Sequence, residues 1–91
     1  MTKYSPTRLA DPGPQIPQPS DRRLKEDIHC VGVTAHELPL YTFRYRGREG
    51  VYEGVMAQEV LARLPDAVST GEDGFYRVDY DMLGVKFRRL S

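Results

Sequence analysis

The most regular alternation of apolar and polar residues in the chain runs from position 40 to 46 and predicts a β-strand. Its aromatic residues fall on one side of the extended chain and its two arginines on the other. A turn signal at Gly47–Gly50 follows, so residues 51–57 are expected to return as the second strand of a hairpin. The aromatic face, which we expect to be buried, consists of Tyr41, Phe43 and Tyr45.

The residues before the hairpin predict a short helix. Ser20 and Asp21 offer side-chain oxygens that can accept hydrogen bonds from the unpaired amides of a first helical turn. Leu24, Ile28 and Val31 would lie on one face of that helix. From this pattern alone, a helix N-cap is the favoured interpretation of Ser20.

Two further helices are predicted after the hairpin. Residues 58–64 have helical spacing, and Pro65 ends the segment because the residue before a proline is driven out of the α region. A turn at 71–74 and a short strand at 75–78 precede Asp79, which can cap a final helix. The stripe of that helix would be Tyr80, Leu83, Phe87 and Leu90. The predicted fold class is therefore α+β, with a short N-terminal helix, a small antiparallel sheet and a C-terminal helix.

Composition divides the chain into two parts. Five of the 7 prolines precede residue 20, which predicts an extended, polyproline-like arm over residues 1–19 and a folded domain over residues 20–91. A domain this small buries a modest core, so we expect a homo-oligomer or an obligate partner.

Charge and cysteine content limit the classes of partner and cofactor that we expect. With 13 basic and 13 acidic residues, we expect no nucleic-acid partner and no membrane partner. The N-terminal sequence lacks the apolar region of a signal peptide. The single cysteine, Cys30, forms no internal disulfide, and His29, Cys30 and His36 match no common zinc spacing. We therefore expect no metal and no cofactor.

Five sequence blocks resemble one known family. The block SDRRLK at 20–25, with an isoleucine downstream, resembles the opening of the intramolecular chaperone auto-processing domain found at the C-terminus of phage tail spikes, endosialidases and tail fibres. An aromatic strand, a GVMAQEV block, a PDAV block and a VDY block follow in the order of that family. The matching positions, to which the resemblance gives structural roles, are Asp21, Arg22, Leu24, Ile28, Phe43, Gly54, Ala57, Gln58, Glu59, Val60, Pro65, Val68, Asp79, Tyr80 and Leu83.

The resemblance implies a homotrimeric domain that helps a fibre to fold and then cuts its own chain. In the family's pattern the nucleophile corresponds to Ser20 and the general base to Lys25, with cleavage at the Pro19–Ser20 bond. A serine hydroxyl needs such a base because it is a poor nucleophile when neutral, and burial lowers the pKa of a lysine far enough to accept its proton. On one helix, residues five apart lie about 140° from each other. Ser20 must therefore precede the helix and fold back, or the lysine must come from another subunit.

Three hypotheses follow from these observations. The first is a stand-alone homotrimer that serves as a structural or assembly module of a phage or phage-derived particle, with the arm bound to another tail, fibre or particle protein. The second is an autoproteolytic serine endopeptidase that releases residues 1–19. The third is a chaperone that acts in trans on a separately encoded fibre. The expected location is the virion, or the bacterial cytoplasm during assembly.

Overall fold

The computed structural model describes residues 15–91, which form an α+β domain with two antiparallel sheets and two helices. The larger sheet has the strand order β2-β3-β4-β7, and the smaller has the order β1-β6-β5. The strands are β1 (Gln18–Pro19), β2 (Lys25–Val33), β3 (Pro39–Tyr45), β4 (Tyr52–Gly54), β5 (Val68–Thr70), β6 (Tyr76–Val78) and β7 (Arg88–Arg89), and the helices are α1 (Ala57–Arg63) and α2 (Tyr80–Leu83).

The predicted aromatic hairpin is confirmed. β3 pairs with β4 in the register Phe43 to Tyr52, and the intervening turn places Gly47 and Gly50 at positive φ. The returning strand is shorter than expected, because α1 already begins at Ala57. Helix α1 ends before Pro65, as predicted, and a 3-10 turn over Pro65–Ala67 follows it.

The predicted N-terminal helix is wrong beyond its first turn. Asp21 caps a 3-10 turn of three residues, and the chain then enters β2 at Lys25. Two register irregularities interrupt the pairing of β2 with β3, and Asp27 has a positive φ of 52° at the first of them. Each bulge shifts the side-chain alternation by one residue. The apolar residues around β2 therefore have a spacing that is typical of a helix, which explains the wrong prediction.

The predicted long C-terminal helix is also wrong. Helix α2 has four residues, and Gly84 ends it in the left-handed conformation with φ 67°. This is a common way for a helix to end, because glycine adopts positive φ without steric cost. Arg88 and Arg89, which lie between the predicted stripe residues Phe87 and Leu90, form β7 and pair with β4.

The core consists of two clusters of buried side chains. One joins α1 and α2 to the smaller sheet and contains Val60, Val78 and Leu83. The other lies on the aromatic face of β3 and contains Phe43, Tyr45, Tyr52 and Met56. Because Phe43 and Tyr45 are 0% and 4% exposed within a single chain, these two residues of the aromatic face belong to the domain's own core, whereas Tyr41 is half-buried.

Residues 15–19 of the predicted arm are attached to the domain. β1 pairs with β6, and the Gln15 side chain donates to Asp81 and to the Val85 carbonyl and accepts from the Phe87 amide. Residues 1–14 lie outside the described residues. No helix within residues 15–91 is long and apolar enough to cross a membrane.

Candidate active site

The backbone around the Pro19–Ser20 bond is held on both sides. β1 fixes Pro19 opposite Arg77 of β6. The Ser20 amide donates to the Tyr76 carbonyl at 3.1 Å, and the Ser20 carbonyl accepts from the Ala57 amide at 2.8 Å. Since these bonds come from two different elements, the serine and the peptide bond before it have a defined orientation.

Lys25 lies beside Ser20 in the same chain. The Lys25 ammonium donates to Ser20 Oγ at 3.2 Å and to the Val55 carbonyl at 2.8 Å. Both side chains are buried, with exposed fractions of 0% for Ser20 and 1% for Lys25. A 3-10 turn separates the two residues, and Lys25 is the first residue of β2. Of the two arrangements that the spacing left open, the structure has the one within a single chain.

The Tyr80 hydroxyl completes this hydrogen-bond network. It lies 2.7 Å from Ser20 Oγ, and its oxygen accepts from the Val55 amide at 3.1 Å. The phenol proton can go to Ser20 Oγ or to the more distant Val55 carbonyl at 3.5 Å, and when it goes to Ser20 Oγ the serine proton is free to point at Lys25. Gly54 makes room for this arrangement, since a Cβ there would overlap the Tyr80 hydroxyl.

Burial sets the protonation states of Lys25 and Tyr80. It lowers the pKa of Lys25 to about 7, with a further lowering from Arg22 and an opposing contribution from the Asp21 carboxylate. The ammonium lies 3.8 Å from the centre of the Phe43 ring, on the apolar wall of the site. A lysine with this pKa is neutral in a large fraction of molecules at neutral pH and can then accept a proton. Burial raises the pKa of Tyr80, so its phenol remains a donor.

Asp21 anchors the turn between the two residues. Its buried carboxylate accepts from the Arg23 backbone and guanidinium, the Gln58 amide group and the Tyr76 backbone amide. The hydrogen bond from the Arg23 side chain is the largest cause of a pKa well below the usual range for Asp21, and burial opposes it. The carboxylate therefore stays charged and holds β6, α1 and the 3-10 turn together.

We expect Asp21→Asn to destabilise the domain by about 2 kcal/mol at pH 7, because hydrogen bonds to a charged group contribute about 1.5–3 kcal/mol. The Asp21 pKa is lowered by folding, so its contribution is present above the unfolded pKa and is lost as the pH falls towards the folded value. Urea unfolding at pH 7 and at pH 3 measures this difference. The control is Asp66→Asn, at an exposed position, and equal losses in the two variants would contradict the assignment.

The Pro19 carbonyl has a hydrogen-bond donor that the sequence did not indicate. The Tyr45 hydroxyl donates to the Pro19 carbonyl oxygen at 2.5 Å. The alternation of β3 predicted that its ring is buried, but it gave no indication of where the hydroxyl would lie. The available signal was a phenol at an otherwise apolar position, since a buried hydroxyl needs a partner.

The other residues of the resemblance surround this site or build the core. Gln58 links the 3-10 turn to α1 by accepting from the Arg22 amide and donating to Asp21, and Glu59 accepts from the Tyr41 hydroxyl. Asp79 caps α2 by accepting from the Met82 amide. The apolar members pack in the two core clusters: Leu24, Ile28, Phe43, Ala57, Val60, Val68 and Leu83.

The histidines and the cysteine do not join the site. Within residues 15–91, no group of three or more His, Cys, Asp or Glu side chains could hold a metal ion. Cys30 is a free, exposed thiol on β2.

The family model described as chaperone of endosialidase matches residues 20–69, which is more than half of the chain. The protein therefore belongs to the chaperone of endosialidase family. The match begins at the buried serine and includes the lysine beside it, while α2, which carries Tyr80, lies after its end. No curated protein and no solved structure matches the chain.

Proposed function

We propose that this chaperone-type assembly domain cleaves its own chain at the Pro19–Ser20 bond. The observation that carries the proposal is the buried contact of 3.2 Å between Lys25 Nζ and Ser20 Oγ, directly beside that bond. A serine that is only an N-cap does not need a buried lysine, whose desolvation costs free energy. In this structure it is Asp21, not Ser20, whose side chain caps the turn.

The first step transfers the acyl group from nitrogen to oxygen. The neutral Lys25 amine removes the proton from Ser20 Oγ, which bonds to the Pro19 carbonyl carbon and forms a tetrahedral oxyanion. The carbon–nitrogen bond then breaks, and the Ser20 nitrogen takes the proton from the Lys25 ammonium. The product is an ester between Pro19 and the Ser20 side chain. Nucleophile and carbonyl belong to consecutive residues, so little additional ordering is needed.

Hydrolysis of the ester completes the reaction. A water molecule attacks the ester carbonyl while Lys25 accepts one of its protons, and the Ser20 oxygen leaves as a hydroxyl by taking that proton back. The products are a carboxylate on Pro19 and a free amine on Ser20. A cavity of about 230 Å³ is lined in part by Pro19, Tyr45 and Arg48 and has room for the water.

The oligomeric state and the setting are part of the same proposal. We propose a homotrimer that assembles in a phage tail or a phage-derived particle, with the N-terminal segment bound to another protein of that particle. Large apolar side chains support an oligomer, since Val31 and Val33 are 53% and 69% exposed on the edge strand β2. Phe43 and Tyr45 of the aromatic face are not part of the proposed subunit contact, because both are already buried within the single chain.

We expect Ser20→Ala to abolish cleavage. Denaturing mass spectrometry of the freshly purified chain should show a loss of about 2 kDa, corresponding to 19 residues of a 91-residue chain of 10.4 kDa. The Ser20→Ala variant should keep its full mass, whereas Ser69→Ala, which removes an exposed serine on β5, should be cut like the unaltered chain. Native mass spectrometry of Ser20→Ala reports the number of subunits in the uncut state.

Two outcomes would overturn the proposed cleavage. One is an unaltered chain that keeps its full mass after days at pH 8, and the other is a Ser20→Ala variant that is cut at the same bond. A monomer in the native spectrum would overturn the trimer but not the cleavage. A fibre protein that becomes soluble only when this chain is co-expressed with it would favour action in trans.

A further inference from the structure

We infer that Tyr45 is the oxyanion donor of the self-cleavage reaction, so that its hydroxyl is a catalytic group alongside Ser20 and Lys25. The inference rests on the cleavage proposed above and assigns a role to a residue that the serine–lysine pair does not require. Its basis is the hydrogen bond from the Tyr45 hydroxyl to the carbonyl oxygen of Pro19, at 2.5 Å.

That oxygen is the atom on which negative charge develops. When Ser20 Oγ attacks the Pro19 carbonyl carbon, the carbonyl oxygen becomes an oxyanion and its hydrogen bonds strengthen. A donor already in place stabilises the transition state more than the ground state because the oxyanion carries more negative charge than the carbonyl oxygen, and no reorganisation of the donor is needed. Lys25 and Tyr80 both contact the nucleophile, so neither of these contacts is made to the carbonyl oxygen.

The Tyr45 ring is held firmly enough for this role. It meets the Phe43 ring edge-on, with centroids 5.3 Å apart, and the Tyr52 ring with centroids 5.1 Å apart. The Arg48 guanidinium lies 4.9 Å from its centroid on the side of the solvent. Because packing fixes both side-chain torsions, the hydroxyl has a defined position relative to the carbonyl.

The hydroxyl also has the right protonation. Burial raises the pKa of Tyr45 well above its usual value, so the phenol keeps its proton at every pH at which Lys25 titrates. The pH dependence of cleavage should therefore follow Lys25 alone, while Tyr45 changes the rate without changing the shape of the profile.

The test is the rate of cleavage of Tyr45→Phe, measured by mass spectrometry on uncut chains that are recovered from inclusion bodies under denaturing conditions and then refolded across a pH series. Loss of one oxyanion donor lowers a rate by about 100-fold or more, so we expect a fall of about 100-fold with an unchanged pH midpoint near 7. The matched control is Tyr52→Phe, which removes a hydroxyl from the same aromatic cluster and should leave the rate within a few fold of the unaltered chain.

A second measurement covers the case in which Tyr45→Phe folds poorly. Site-specific replacement of the Tyr45 ring by 3-fluorotyrosine preserves its shape and makes the phenol a stronger donor, so cleavage should become faster than in the same replacement at Tyr52. The inference is overturned if Tyr45→Phe folds and is cut as fast as Tyr52→Phe, or if fluorination at position 45 has no effect. In both cases cleavage itself would still occur, whereas an unaltered chain that is never cut would overturn the proposed function as well.

Discussion

Replacing Lys25 by methionine should both abolish self-cleavage and stabilise the domain at neutral pH. Cleavage is lost because no other amine contacts Ser20 Oγ within the described residues. Stability rises because the buried amine is costly: folding lowers its pKa from 10.5 to about 7, which corresponds to a penalty on the order of 4 kcal/mol at neutral pH. Loss of two hydrogen bonds, at about 1 kcal/mol each, leaves a net gain of about 2 kcal/mol.

The sign of this effect can be checked through its pH dependence. Between pH 7 and 10.5 the unfolded chain carries a proton on Lys25 that the folded chain lacks, so stability rises with pH across that interval. Below pH 7 the penalty is fully present, and above 10.5 it is absent. The rate of cleavage should rise with pH around a midpoint near 7, because only the neutral amine can act as the base.

Stability must be compared between chains that are equally uncut. Urea unfolding of Ser20→Ala and of the double variant with Lys25→Met, at pH 6, 8 and 10, meets this condition. The single variant should gain stability with pH and the double variant should be nearly flat. Lys86→Met, which replaces an exposed lysine in the same background, is the control and should keep the slope. An equal slope in the single and double variants would contradict the proposed state of Lys25.

Phe43→Ala should cost about 3–5 kcal/mol of stability, which is the usual loss for a buried phenylalanine. The side chain is fully buried at the centre of the aromatic cluster, between the rings of Tyr45, Tyr52 and Phe87. It also forms the apolar wall against the Lys25 ammonium. In its absence water reaches the amine, the pKa of Lys25 moves back towards its ordinary value, and the pH midpoint of cleavage moves upwards.

The comparison with Leu83→Ala separates these two effects. Leu83 is also buried, at 2% exposed, but belongs to the other core cluster, which does not include Phe43. We expect a loss of about 2–5 kcal/mol for Leu83→Ala as well, with the midpoint of cleavage unchanged. Thermal unfolding together with the pH profile of cleavage measures both. If Phe43→Ala melts like the unaltered chain, or if both variants shift the midpoint equally, the described role of Phe43 is wrong.

The sequence predicted correctly those parts of the fold whose structure is determined by residues close together in the chain. The alternation through Phe43 and the proline after α1 are such cases, because each acts within a few residues. The prediction was wrong for β2, where bulges near Asp27 mask the alternation, and for the C-terminal region, where Gly84 ends a helix that the apolar spacing would continue. A bulge is specified by pairing with a distant strand, so a single segment carries no clear signal for it.

The candidate site was predictable in its residue types and not in its geometry. The resemblance pointed to Ser20 and Lys25, but their contact depends on the 3-10 turn that Asp21 holds against β6 and α1. The roles of Tyr45 and Tyr80 depend on contacts across 26 and 60 positions of sequence. Contacts over such separations are set by the tertiary fold, and no local pattern reports them.

Because β1 pairs with β6, cleavage of the Pro19–Ser20 bond and dissociation of the two products would be separate events. Residues on the N-terminal side of the proposed cut are held by strand hydrogen bonds and by the Gln15 side chain, none of which the reaction touches. The cut chain would therefore persist as a noncovalent complementation pair, in which the severed peptide still fills its place in the small sheet. The N-terminal peptide would dissociate at a rate set by the lifetime of its pairing with β6. Cleavage would therefore be complete long before the peptide leaves the domain.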